Sequence, residues 1–195
     1  MKQRIKSLSN NSCARKLAEI ILLFFILHFS SLQASNLVVD SKNQTEINHI
    51  KSAYIYNFLK YVSLNPTNNR SKLNHYLVCT IGAEPFGSAL DVMEGKMAKG
   101  IPVKIKRVEV IEQLKLCHIV YISQSENKNL LKIFHILKNL SILTVSDIKD
   151  FTHNGGIIGF IGEQKKIEIE INLANARQSK VQISALLLEI ARIID

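Results

Sequence analysis

Cys79, Cys117 and His118 are the residues of this 195-residue chain most able to do chemistry. A cysteine beside a histidine suggests either a metal-ligand pair or an activated thiol. A zinc site needs four clustered ligands, and no close Cys or His pair stands ready to complete one. A thiol nucleophile needs a base and a group to orient that base, and the spacing places neither. Redox chemistry is the remaining reading. If Cys79 and Cys117 lie on adjacent parallel strands, their α-carbons come within the disulfide range of about 4.4–6.8 Å. A bond closing a loop of this size would stabilise by about 4 kcal/mol in the chain-entropy picture, and its reduction would loosen the sheet. The alternative is a pair of buried free thiols on separate strands.

Two further stretches carry reactive side chains. Ser146-Asp147, Asp150, His153 and Gly155-Gly156 follow one another closely. An Asp near a His can move protons, but no nucleophile elbow or paired-carboxylate signature accompanies them, and Ser or Asp after a strand also caps a following helix. Gly82-Ala83-Glu84-Pro85-Phe86-Gly87 joins a strand to a helix start, where open α/β sheets bind ligands. It is neither a G-x-G-x-x-G fingerprint nor a P-loop, and Glu84 would repel phosphate. No catalytic, metal-binding or cofactor-binding residue is assigned, and no cofactor is expected.

The compartment follows from the first thirty-four residues. Lys2, Arg4, Lys6, Arg15 and Lys16 precede the apolar run Ile20–Leu27, and Ser30-Ser31-Leu32-Gln33-Ala34 closes it with small residues. That order predicts a secretory signal peptide over 1–34, with an apolar stretch shorter than the roughly 20 residues a membrane span needs. The alternative is an uncleaved N-terminal anchor; either way, residues from about Ser35 onward are expected outside the cytoplasm, which excludes most ATP-driven, NAD-driven and nucleic-acid functions. Cys13 leaves with the leader, so an even pair of cysteines remains, the pattern that favours a disulfide in an oxidising compartment. The formal charge of +9 falls to about +5 without the leader's five basic residues and Glu19. No basic block with interleaved aromatics marks a nucleic-acid surface.

The elements that must hold these residues read as one domain over 46–195, after a flexible segment over 35–45. Ile47, Ile50, Tyr54, Phe58 and Tyr61 recur at helical spacing. Short apolar strand candidates then alternate with helical stretches: Tyr76–Ile81, a helix over Phe86–Met93, Val103–Val108, one or two helical turns over Ile111–Leu116, and His118–Ser123. A helix over Asn127–Asn139, with Leu130, Leu131, Phe134 and Leu137 on one side, precedes a strand over Ile142–Val145. This predicts an α/β fold, a mostly parallel sheet with helices on both faces. Gly156–Ile161 and Ile167–Leu173 flank the turn Gly162–Lys166 and read as a C-terminal antiparallel hairpin. There Ile167, Ile169 and Ile171 face the core, and Glu168 and Glu170 face water. The chain closes with a terminal helix, about Arg177–Ile194, apolar nearly all round. Either it is a core helix under the sheet, or one stripe packs on a partner subunit, with Leu187, Ile190 and Ile194 the candidates for self-association.

Several of these stretches together resemble the YfiR family. Ala53-Tyr54-Ile55-Tyr56-Asn57-Phe58-Leu59-Lys60-Tyr61-Val62 is similar to its N-terminal helix, and Val78-Cys79-Thr80-Ile81-Gly82 with Pro85-Phe86-Gly87 to its first strand and turn. Cys117 through Ser123, Leu143 through Asp147, Phe151, Gly155-Gly156-Ile157-Ile158 and Ile171-Asn172 follow the rest of the family pattern. The resemblance implies a non-enzymatic periplasmic α/β regulator, often dimeric. Such a regulator represses an inner-membrane diguanylate cyclase by binding its periplasmic sensor part, and its release raises cyclic di-GMP and favours biofilm growth. It also implies that Cys79 and Cys117 can form a disulfide whose redox state affects activity. Some family members carry a second cysteine pair near the Ser146–His153 segment, and this chain has none there. A different class of function is a periplasmic small-ligand-binding module, using the Gly82–Gly87 turn and the Ser146–Gly156 loop around a pocket at the carboxyl ends of the strands.

Overall fold

The computed structural model describes residues 42–64, 73–83, 86–162 and 166–195. The predicted leader and residues 35–41 lie outside these, as do Glu84, Pro85 and the middle of the Gly162–Lys166 turn. Residues 44–195 belong to one folding unit. Helix α1 spans residues 42–61, so helix begins inside the stretch expected to be flexible. It runs directly into β1 (Val62–Leu64).

An eight-stranded sheet forms the framework, in the order β10 (Ala191–Ile194), β8 (Glu168–Asn172), β7 (Ile158–Ile161), β6, β5, β2, β4 (Ile101–Val108) and β3 (Met97–Ala98), with β6, β5 and β2 at Leu143–Ser146, Ile119–Ile122 and Tyr76–Ile81. Its centre is β2 (Tyr76–Ile81), β5 (Ile119–Ile122) and β6 (Leu143–Ser146), all parallel. The four residues of β5 and of β6, and the last four of β2, are buried. Strands covered on both faces read as continuous apolar runs, which is why these segments were legible as strands. Alternate residues divide between two cores. Val78, Ile119, Tyr121, Leu143 and Val145 face α1 on one side, while Cys79, Ile81, Val120 and Ile122 face α2 (Leu130–Leu137) on the other. The expected mixed α/β architecture is therefore present.

At one edge the strand expected over Val103–Val108 gains a short partner that the apolar pattern conceals. Beside β2 runs the parallel strand β4 (Ile101–Val108), joined to the two-residue β3 (Met97–Ala98) by Lys99-Gly100. Both turn residues have positive φ, as the tight hairpin turn requires. The segment expected as a helix over Phe86–Met93 is instead two short 3-10 turns, Gly87–Ala89 and Asp91–Met93. They strap the β4 edge: Arg107 donates to Gly87 O and pairs with Asp91. The expected hairpin exists as β7 (Ile158–Ile161) and β8 (Glu168–Asn172), paired antiparallel with Ile158 opposite Ile171.

The terminal helix does not form as one element. Its sequence is divided among α3 (Leu173–Gln178), β9 (Val181–Ile183), α4 (Ala185–Leu188) and β10 (Ala191–Ile194). Lys180, at φ 58°, ends α3. β9 pairs antiparallel with β1, and β10 pairs parallel with β8. The physical reason is tertiary. The outer edge of the buried strand β8 needs hydrogen-bond partners, and the β-branched Ile193 and Ile194 suit a strand better than a helix.

Both amphipathic helices are rotated from the expected stripe. In α1 the buried face is Asn48, Ser52, Ile55, Phe58 and Leu59, while Ile50 and Tyr61 are exposed. The polar members of that face are satisfied nearby: Ser52 Oγ donates to His49 O at 2.8 Å, and Asn48 accepts from Gln44 at 3.0 Å. In α2 the buried face is Leu130, Ile133 and Leu137, and Leu131 is exposed.

Candidate functional site

Cys79 lies on β2 and Cys117 just before β5, and a disulfide joins them with α-carbons 5.9 Å apart. Both residues are fully buried in the core beneath α2. The neighbouring His118 is structural in its bonding. Its backbone N–H donates to Leu77 O of β2, its carbonyl accepts from Leu143 N of β6, and its Nδ1 accepts from Leu77 N at 2.9 Å. Its ring meets the Tyr76 ring edge-on at 5.3 Å. The sulfur is bonded and the imidazole occupied, so the Cys117-His118 pair holds the amino end of β5 in place.

The other candidate residues sit elsewhere. Asp147 follows β6, so it lies at the opposite end of the parallel strands from Cys117 and His118. Lys51 of α1 donates to its Oδ2 at 2.7 Å, with both side chains largely shielded from water. Ser146 Oγ donates to Ile122 O at 2.6 Å and accepts from Ile148 N, tying the strand end to the following loop. The Gly82 turn is closed in the same manner. Ala83 N donates to Ser125 Oγ at 2.8 Å and Ser123 Oγ donates to Ala83 O, so that amide is not presented to an anion. Gly82 has φ 90°, and a Cβ there would lie 2.4 Å from Ser125 Oγ.

The structure gathers a cluster at a place the sequence pattern assigned to water. Glu170 on β8 has a side chain only 3 % exposed. Arg192, directly across the register on β10, donates to it through Nε at 2.7 Å and through a second guanidinium nitrogen. Thr152 donates to its other oxygen, and His153 Nδ1 lies 3.7 Å from the same oxygen. Burial pushes the Glu170 carboxyl up. The Thr152 hydrogen bond, the Arg192 hydrogen bonds and charge, and the His153 charge outweigh it and hold the group below its ordinary value. Alternation along Ile167–Ile171 gave no sign of this, because that face of β8 is covered at Glu170 by the sequence-distant loop at Thr152. Asn172 and Asn175 secure that loop: Asn175 donates to Thr152 O and Gly156 O, and Asn172 caps α3 by accepting from Asn175 N. An Asn at the end of a strand and directly ahead of a helix was the one available signal.

Beyond this cluster the sheet ends in β10, which has no strand on its outer side among the described residues. Apolar side chains flank that edge. Leu186 is 63 % and Ile190 64 % exposed, and Ile193 is exposed too. The predicted self-association stripe divides here: Leu187 is 2 % exposed and belongs to the core under α1, Ile194 is half-buried, and only Ile190 projects freely.

Taken together, these features define a mixed α/β domain with a disulfide across its central strands and a salt-bridged, apolar-flanked strand at one edge. The chain belongs to the YfiR/HmsC-like family, whose model matches residues 48–192. No curated protein matches it. Among the described residues no helix is long and apolar enough to cross a membrane, and no cluster of three or more His, Cys, Asp or Glu forms a metal site.

Proposed function

We propose that this chain is a non-enzymatic periplasmic regulator that holds an inner-membrane diguanylate cyclase, or a similar membrane sensor, in its inactive state. The family match over residues 48–192 carries the reading, and the signal-peptide pattern of residues 1–34 agrees with it. In this reading the leader is removed and the mature chain is not itself membrane-spanning. It works as a homodimer by touching the partner's periplasmic domain. Repression by contact requires only that the regulator bind one state of its partner more tightly than the other. Exposed apolar side chains beside an open strand edge, Leu186, Ile190 and Ile193, are of the kind that such contacts use. The Cys79–Cys117 bond is the redox input of the domain in this reading.

Deleting the gene should raise cellular cyclic di-GMP, and supplying the exported chain in trans should lower it again. An unchanged level after deletion would count against repression of a cyclase. Fractionation supplies the second arm: mature chain recovered in the cytoplasm would remove the periplasmic role.

A further inference from the structure

A groove of about 310 Å³ opens between α2 and α3 on the sheet face opposite α1. It lies beside the amino ends of β6 and β7, where Ile142, Thr144 and Gly155 line it. This is the other end of the strands from the pocket expected of a ligand-binding module, and the Gly82 turn takes no part in it. Its size is at the lower end of small-molecule sites.

The groove is prepared rather than incidental. One wall is Leu131 and Phe134 of α2, and Leu131 is 82 % exposed with its side chain at the rim. Phe134 is fixed from behind by the Phe151 ring, 5.6 Å away. Gly155, at φ 113°, lets the backbone pass close over it, since a Cβ there would sit 3.1 Å from the ring. The facing wall carries the amides of Asn154, Asn175 and Gln178. Asn175 uses both amide hydrogens to hold the loop at Thr152 and Gly156, so that wall is set before any ligand arrives. Lys138 stands at the mouth, and no Asp or Glu is among the lining residues described.

An aromatic and aliphatic wall, an amide wall and the Lys138 ammonium at the entrance, with the His135 imidazole also in the lining, are complementary to one chemical class. We propose that this groove binds a small amphipathic organic anion, one or two rings in size. Its flat apolar body lies on Phe134 and Leu131, and its carboxylate or sulfonate is directed to Lys138. Gly155 is thereby a shaping element of a ligand site. The proposal stands independently of the regulatory reading, because it concerns binding alone.

The test is a heteronuclear NMR titration of the purified protein with 2-naphthoate and, in parallel, with the neutral 2-naphthamide. Saturable shifts centred on Phe134, Asn154, Gly155 and Gln178 are expected, with naphthoate the tighter ligand. Lys138→Gln should weaken naphthoate by about threefold, the scale of an exposed charge interaction, and leave naphthamide unchanged. Leu131→Ser, at a site too exposed to threaten folding, should weaken both. The proposal is overturned by shifts that do not saturate up to about 10 mM, the weak limit of useful affinity, by saturable shifts centred elsewhere, or by equal affinity for acid and amide.

Discussion

Glu170 shows how one side chain can decide the fate of an element. A carboxylate almost out of water is tolerated because Arg192 and Thr152 satisfy its oxygens, and removing one partner leaves the charge stranded. Arg192→Ala should therefore destabilise by about 2 kcal/mol, less than a fully buried pair because the guanidinium side faces solvent. Urea unfolding would measure it. The pH dependence follows from the same group. Its folded value lies below the ordinary one, so its contribution is complete above about pH 4.3, the usual glutamate value. That contribution is lost as pH falls from there through the lower folded value. Glu170→Gln should flatten this acid limb, and an unchanged limb would show that other carboxylates produce it.

At the scale of elements, the carboxyl-terminal segment separates packing from association. Leu187 and Ile190 are three residues apart, yet one is core and the other surface. Leu187→Ala should cost about 2–4 kcal/mol through the cavity it leaves, with oligomeric state read at temperatures well below the transition. Ile190→Glu should leave stability nearly unchanged and weaken self-association in analytical ultracentrifugation. A dimer indifferent to Ile190→Glu would place its interface elsewhere. The loop before β7 is equally exacting: a Cβ on Gly156 would lie 2.1 Å from the Phe151 ring. Gly156→Ala should destabilise by about 1–3 kcal/mol, because neither ring nor backbone has room to yield.

Across the whole molecule, the disulfide ties β2 to the start of β5 over a separation of 38 residues. Closing such a loop restricts the unfolded chain and is worth about 4 kcal/mol by the entropy relation. Replacing Cys79 and Cys117 together by alanine should lower the thermal midpoint by many degrees. Both cysteines are fully buried, so reductant reaches the bond only through an opening of the sheet. Thiol release, followed by alkylation and mass measurement, should be slow in buffer and fast in moderate urea. Rapid release from the native state would favour a surface redox switch over a structural staple.

The central strands, the order of the β7–β8 hairpin and the pairing partners Cys79 and Cys117 were legible in the amino-acid order. A strand buried on both faces must be apolar at nearly every position, and the two cysteines of the domain suggest each other as partners. The helical periodicity of α1 and α2 was equally plain, but not its phase. Which side of a helix faces the sheet depends on what the sheet presents, and α1 buries Asn48 and Ser52 while leaving Ile50 and Tyr61 outside. The last eighteen residues show the limit most clearly. Their apolar density fits a buried helix, yet the open edges of β1 and β8 draw Val181–Ile183 and Ala191–Ile194 into strands. Unpaired backbone groups at the end of a sheet are a tertiary fact, and local composition carries no record of them.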